Sequence, residues 1–129
     1  MTSVAALIAL LHLVWPFYVV APVLPMDARY ATAEPYLSGG AYAECSDATI
    51  RVNDAFWRFP PIWQASVLAH EQTHLAYCGT AHANQESVAY LVQWLFLRDV
   101  PDGSSDQLET WRYGVWRHYE AALLREQAE

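Results

Sequence analysis

Lysine is missing from this chain of 129 residues: all seven basic residues are arginines, against fourteen acids. The formal net charge is −7, and the arginines are scattered singly from Arg29 to Arg125. No basic run or stripe forms, so a nucleic-acid partner is not expected. Cysteine is scarce too. Cys45 and Cys78 match neither Cys-x-x-Cys nor a four-thiolate zinc pattern. They either make one bridge, if the domain is exported, or remain two buried thiols. Charged residues make up only 16% of a chain that is 54% hydrophobic, which excludes an intrinsically disordered tail. The length suits one domain with one modest core and excludes two. No internal repeat or low-complexity segment is present.

What the chain does have is one long apolar run. In residues 4–25 only His12 is strongly polar. That length matches the roughly 20 residues of a membrane-spanning helix and exceeds the about 7–15 of a signal-peptide core. Against a straight span stand Pro16 and Pro22, which kink or break a helix, and the lack of a cationic leader. Ala31-Thr32-Ala33 resembles a small-residue cleavage site. Three fates follow for residues 1–26: a membrane anchor, a cleaved signal peptide, or a helix packed on the protein's own core. The expected location is accordingly membrane-anchored or exported, with membrane contact through residues 4–25. The remaining residues, 27–129, are expected to form the folded domain.

Residues 27–49 hold Pro35 and Gly39-Gly40 with little periodicity, and read as linker or irregular surface. Thr49-Ile50-Arg51-Val52 is β-branched and is closed by Asn53-Asp54, a strand followed by a turn. Pro60-Pro61 then opens, and Cys78-Gly79 closes, a helix over residues 62–78. A second helix is expected over 85–99, with Val88, Leu91, Val92 and Leu95 on one face. A third is expected over 105–127, where Leu108, Trp111, Val115, Tyr119, Ala122 and Leu123 form a stripe, and Asp106 with Glu109 resembles a capping box. The expected class is mainly α (α+β).

The first of these helices contains His70-Glu71-Gln72-Thr73-His74, an H-E-x-x-H motif. Positions i and i+4 of a helix share a face, so both imidazoles can reach one zinc ion, while Glu71, rotated by about 100°, borders the same site. A carboxylate there can take a proton from a water acidified by the metal. Two histidines fall short of the three protein ligands of a catalytic zinc. The third candidate is Glu86, at the start of the next helix and able to point back, or His82, which follows His74 at a spacing two residues longer than the metzincin pattern. Glu86 is the better placed. Tyr113, Arg117 and His118 are available as donors to an oxyanion, although an aromatic-rich amphipathic helix also packs such residues without chemistry. The tryptophans at 57, 63, 94, 111 and 116 read as core and anchor residues.

These residues resemble a zincin metallopeptidase, nearest to the minimal gluzincin type, in which H-E-x-x-H on one helix is completed by a Glu on the next. Glu86-Ser87-Val88-Ala89-Tyr90-Leu91-Val92-Gln93 is similar to the E-x-x-A-Y-x-x-Q stretch of small bacterial and phage H-E-x-x-H proteins. The resemblance spans about residues 49–97. It implies a compact zincin-like domain, Zn²⁺ held by His70, His74 and Glu86, Glu71 as general base, and a peptide or protein substrate. It also implies that Thr49–Val52 is an edge strand that holds the substrate by backbone hydrogen bonds. The alternative is a non-catalytic, zinc-stabilised, membrane-associated interaction module, in which the metal reinforces a small core. A third possibility makes the apolar N-terminus the functional element and the histidines incidental.

Overall fold

A computed structural model describes residues 3–26, 40–82, 85–101 and 106–128. Its elements run α1 (Val4–Val14), β1 (Val23–Pro25), β2 (Ala41–Glu44), β3 (Thr49–Val52), a 3₁₀ turn (Phe56–Arg58), α2 (Pro61–Ala76), α3 (Glu86–Asp99) and α4 (Asp106–Ala128). The class is mainly helical with a small sheet, as composition and periodicity imply. The helices of the C-terminal two thirds lie within two residues of their expected ends, because proline and glycine mark them. Pro61 sits in the first turn of α2, where its missing N–H costs nothing. Gly79, at φ +80°, takes the left-handed conformation just beyond the other end.

The N-terminal run departs from a spanning helix. Trp15, at φ −128° and ψ 88°, ends α1 because the residue before a proline is driven out of the helical region. Among the described residues no helix is long and apolar enough to cross a membrane. α1 packs on α2, and Leu7 and Leu11 are fully buried in the central core with Ile50, Phe56, Leu68, Phe96 and Leu97. Beyond α1 the Tyr18 hydroxyl donates to the Ala69 carbonyl at 3.3 Å, and the Ala21 N–H donates to Gln72 Oε1 at 2.7 Å. β1 then joins the sheet. Residues 4–26 thus pack on the same core as β3 and α2, and Met26 is the last residue described before Gly40.

The sheet has the order β1-β3-β2, with β1 parallel and β2 antiparallel to β3. Ile50 aligns with Val23 on one side and Ala43 on the other. Thr49–Val52 is thus the central strand of the described sheet, a correction to the edge position that the resemblance implied. β2 corrects the reading of residues 27–49 as wholly irregular. Its Ala41-Tyr42-Ala43-Glu44 has little intrinsic strand preference and is held by the hairpin, whose turn carries Ala48 at φ 55°. Gly40, at φ +90°, admits the chain to β2. A Cβ there would collide with Asn53 Oδ1 and stand 2.7 Å from the Phe56 nitrogen. Residues 27–39, with the cleavage-like Ala31-Thr32-Ala33, lie outside the described residues.

The sheet and α1 pack on α2, α3 packs along α2, and α4 covers α3. α2 is accordingly buried from Gln64 to Glu71. Its histidines emerge where α3 crosses.

Candidate metal centre

His70 and His74 present their rings side by side, with centroids 5.1 Å apart, as two helical positions one turn apart must. Glu86, in the first turn of α3, aims back at both. Its Oε1 stands 2.8 Å from His74 Nε2 and its Oε2 stands 3.0 Å from His70 Nε2. His82, the other candidate third ligand, is exposed and turned toward Gln85, with Nδ1 2.9 Å from Gln85 Oε1. Glu71 is buried beside the two histidines, and one donor atom from each of His70, Glu71 and His74 falls within 4.8 Å of the others.

Gln93 and Tyr90, quoted from the sequence without a role, shape this cluster. The Gln93 Nε2 donates to Ser66 Oγ at 3.2 Å, and the Ser66 hydroxyl donates to the Trp63 carbonyl at 2.7 Å. A carbonyl only accepts, so the single hydroxyl proton of Ser66 is committed, and its oxygen must receive the Gln93 amide. That orientation turns Gln93 Oε1 toward His70 Nδ1, 2.9 Å away, and requires Nδ1 to carry a proton. In the neutral ring Nε2 is then a bare lone pair. It faces a carboxylate oxygen at 3.0 Å while the side chain is only 1% exposed.

Two acceptors at that separation repel unless a cation lies between them, either a proton that makes His70 an imidazolium or a metal ion. Two imidazole nitrogens and a carboxylate suit zinc. Donors on one tetrahedral zinc stand about 3.3 Å apart, so the observed separations need to open by only a few tenths of an ångström. The residues fit the ion. Burial pushes the Glu86 carboxyl up, but hydrogen bonds to His70 and His74 and their charge overcome this and hold it well below the usual carboxylate range. The N-terminal end of α3 favours the same anion.

Tyr90, one turn beyond Glu86, meets His70 edge-on at 4.6 Å. Burial, then the charges of Glu86 and Glu71, raise its pKa against the opposing pull of Arg125. Its hydroxyl therefore lies in the field of both carboxylates and keeps its proton. Of the three expected oxyanion donors, His118 stacks on Tyr90 at 5.1 Å, whereas Arg117 donates to the Tyr113 hydroxyl at 2.9 Å on the exposed side of α4. Glu86, Ala89, Tyr90 and Gln93 occupy positions i, i+3, i+4 and i+7, one stripe of α3 turned to α2. That period is the signal from which Tyr90 and Gln93 could have been assigned to the site.

The two cysteines are joined, Cys45 to Cys78, with Cα atoms 5.7 Å apart. The bond fastens the chain just past α2 to the β2–β3 turn and takes both sulfurs out of consideration as ligands. No family model, curated protein or solved structure matches the chain.

Proposed function

We propose that the chain is a zinc-dependent metallopeptidase in which His70, His74 and Glu86 hold the metal and Glu71 is the general base. The observation that carries this is the convergence of donors: the two carboxylate oxygens of Glu86 face His74 Nε2 at 2.8 Å and His70 Nε2 at 3.0 Å, with Glu71 beside them. Three protein donors, His70, His74 and Glu86, would hold the ion, the number found in catalytic zinc sites. When bound, zinc supplies a Lewis acid for the substrate carbonyl and lowers the pKa of the attacking water toward about 7. Glu71 is the residue that would accept a proton from the attacking water and pass it to the leaving amine. Tyr90, whose ring lies 4.6 Å from that of His70, replaces Tyr113 and Arg117 as the donor proposed for the developing oxyanion. A peptide approaches from the side of Glu86, whose side chain is 36% exposed. The disulfide supports an exported or membrane-anchored location, since such bonds persist in oxidising compartments.

The test is metal content and peptide hydrolysis of the full chain and three variants. One zinc per chain, lost in Glu86→Ala and kept in His82→Ala, is expected, together with cleavage of a peptide library that disappears in Glu71→Gln while the metal stays. A chain that folds and takes up no zinc when it is offered overturns the metal site. Zinc bound with no cleavage by wild type, or with cleavage that survives Glu71→Gln, replaces the peptidase by the zinc-stabilised module.

A further inference from the structure

The start of α3, which carries Glu86, is not capped by its own N-cap residue. The first four N–H groups of a helix have no acceptor within it, and the side chain of the N-cap residue commonly receives one of them. α1 follows that rule, with the Ala6 N–H donating to Ser3 Oγ at 3.1 Å. In α3 the N-cap residue, Gln85, makes no such bond, and its Oε1 stands 2.9 Å from His82 Nδ1 instead. Glu86 is an acid in the first turn, a type that often serves these N–H groups, but both of its oxygens face His70 and His74. Ser87 is buried, so its N–H needs an acceptor inside the protein. That acceptor comes from another helix: Glu126 Oε1, in the last turn of α4, receives the Ser87 N–H at 3.2 Å. Arg112 does the converse at the other end of α3, where its Nε donates to the Leu97 carbonyl at 2.8 Å. The separation of Arg112 and Glu126 along α4 matches the length of α3, 14 residues. α4 thus sets an anion at the positive pole of α3 and a cation at the negative pole.

We propose that Glu126 is a positioning residue of the metal centre, holding the first turn of α3 so that Glu86 reaches both imidazoles. That role presupposes His70, His74 and Glu86 as the zinc ligands. Its physical basis is the planarity of the peptide unit. The Ser87 N–H belongs to the unit that leaves the Glu86 Cα, so a bond to that N–H restrains the Glu86 ψ angle and the direction from which the ligand side chain projects. The histidines are held differently. His70 lies within α2, 1% exposed and paired with Gln93, and His74 follows one turn later on the same helix. Glu86 sits at a helix terminus, where backbone frays first, and its side chain is partly exposed. A ligand there depends on what fixes the turn, and Glu126 supplies that restraint from a helix packed along α3. The direct bond makes reach, rather than charge, the property that matters. A carboxylate one methylene shorter keeps the charge and falls short of Ser87, whereas a carboxamide of equal length loses the charge and still offers an acceptor oxygen.

Two variants of the full chain therefore reverse the order that charge alone would give. In Glu126→Asp, zinc affinity measured by competition with a chelator should fall about tenfold, the low end of the loss expected when a partner supporting a metal ligand is removed. In Glu126→Gln it should stay within about twofold of wild type. Cobalt(II) loaded in place of zinc gives a readout that a loss of overall stability does not move. Its visible absorption reports ligand geometry, and the bands should shift in Glu126→Asp and not in Glu126→Gln. Glu120→Ala, which removes an exposed acid of α4, should bind zinc as wild type does. Wild-type affinity in Glu126→Asp overturns the proposal, as do losses of equal size in the two variants. A larger loss in Glu126→Gln than in Glu126→Asp also overturns it, since charge would then be the operative property. In each of these outcomes wild type still binds zinc and the metal site stands. A wild-type chain that folds and takes up no zinc removes the metal site, and the role of Glu126 with it.

Discussion

At the scale of single residues, the centre depends on a hydrogen-bond direction that begins at a backbone carbonyl. The Trp63 carbonyl fixes Ser66, Ser66 fixes the Gln93 amide, and Gln93 fixes the tautomer of His70. Replacing Gln93 by Leu removes the acceptor and strands a buried Nδ1–H, at a cost of about 1–3 kcal/mol. Loss of such a supporting partner should also weaken zinc binding by about 10–100-fold, measured by competition with a chelator; unchanged affinity would show that the ring is oriented by packing alone. Acid offers a second check. The carboxyl of Glu86 titrates lower in the folded protein than its ordinary value of about 4.3, so the folded state binds fewer protons there than the unfolded chain. The stability it contributes is fully present above that value and is lost as pH falls below it. In chelator-treated protein, denaturant midpoints should fall with pH in that range, and Glu86→Gln should flatten the slope. His70, Glu71 and His74 were legible from their spacing, and Glu86 from its residue type at the mouth of the next helix. Gln93 and Tyr90 acquire roles only when α3 lies on α2, a long-range packing that no local pattern specifies.

Among the elements, α2 is gripped at both ends. Pro61 opens it, and the Cys45–Cys78 bond ties its exit to the β2–β3 turn. Closing a loop between cysteines separated by 33 positions removes unfolded-state entropy worth about 3–4 kcal/mol in the chain-entropy model. Reduction, or the Cys45→Ser and Cys78→Ser pair, should therefore lower stability by up to about that amount, read as a fall in the denaturant midpoint. A double variant as stable as wild type would mean that the hairpin and the helix hold together without the bond. Helix limits were legible here because prolines and glycine mark them. The strands were less so: β2 draws on hydrogen bonds from β3 more than on its own side chains, and β1 lies inside a run whose composition equally suits a helix. Periodicity carries little information where nearly every residue is apolar.

For the whole molecule, the N-terminal segment is part of the core. Leu7 and Leu11 are fully buried, and Met26 donates its N–H to the Val52 carbonyl at 2.8 Å. Leu11→Ala should cost about 2–5 kcal/mol. A chain starting at residue 27 loses both leucines and the parallel strand together, and should show no cooperative thermal transition by calorimetry. A truncated chain that melts as sharply as the full one would show that residues 27–129 fold without the N-terminal segment. Composition alone could not separate an anchor from a core helix, because both demand uninterrupted apolar side chains. The prolines made the difference by ending α1 after 11 residues.

The parallel pairing of β1 with β3 also orders events in time. A ribosome delivers Val23 first and its partner Ile50 on the order of seconds later, at about 5–20 residues per second. Throughout that interval the apolar run has emerged without the strand and helix that bury it, a bare hydrophobic stretch at the front of a nascent chain. The same side chains that close the core in the finished protein are thus first displayed, briefly, to whatever recognises hydrophobic sequence as it leaves the ribosome.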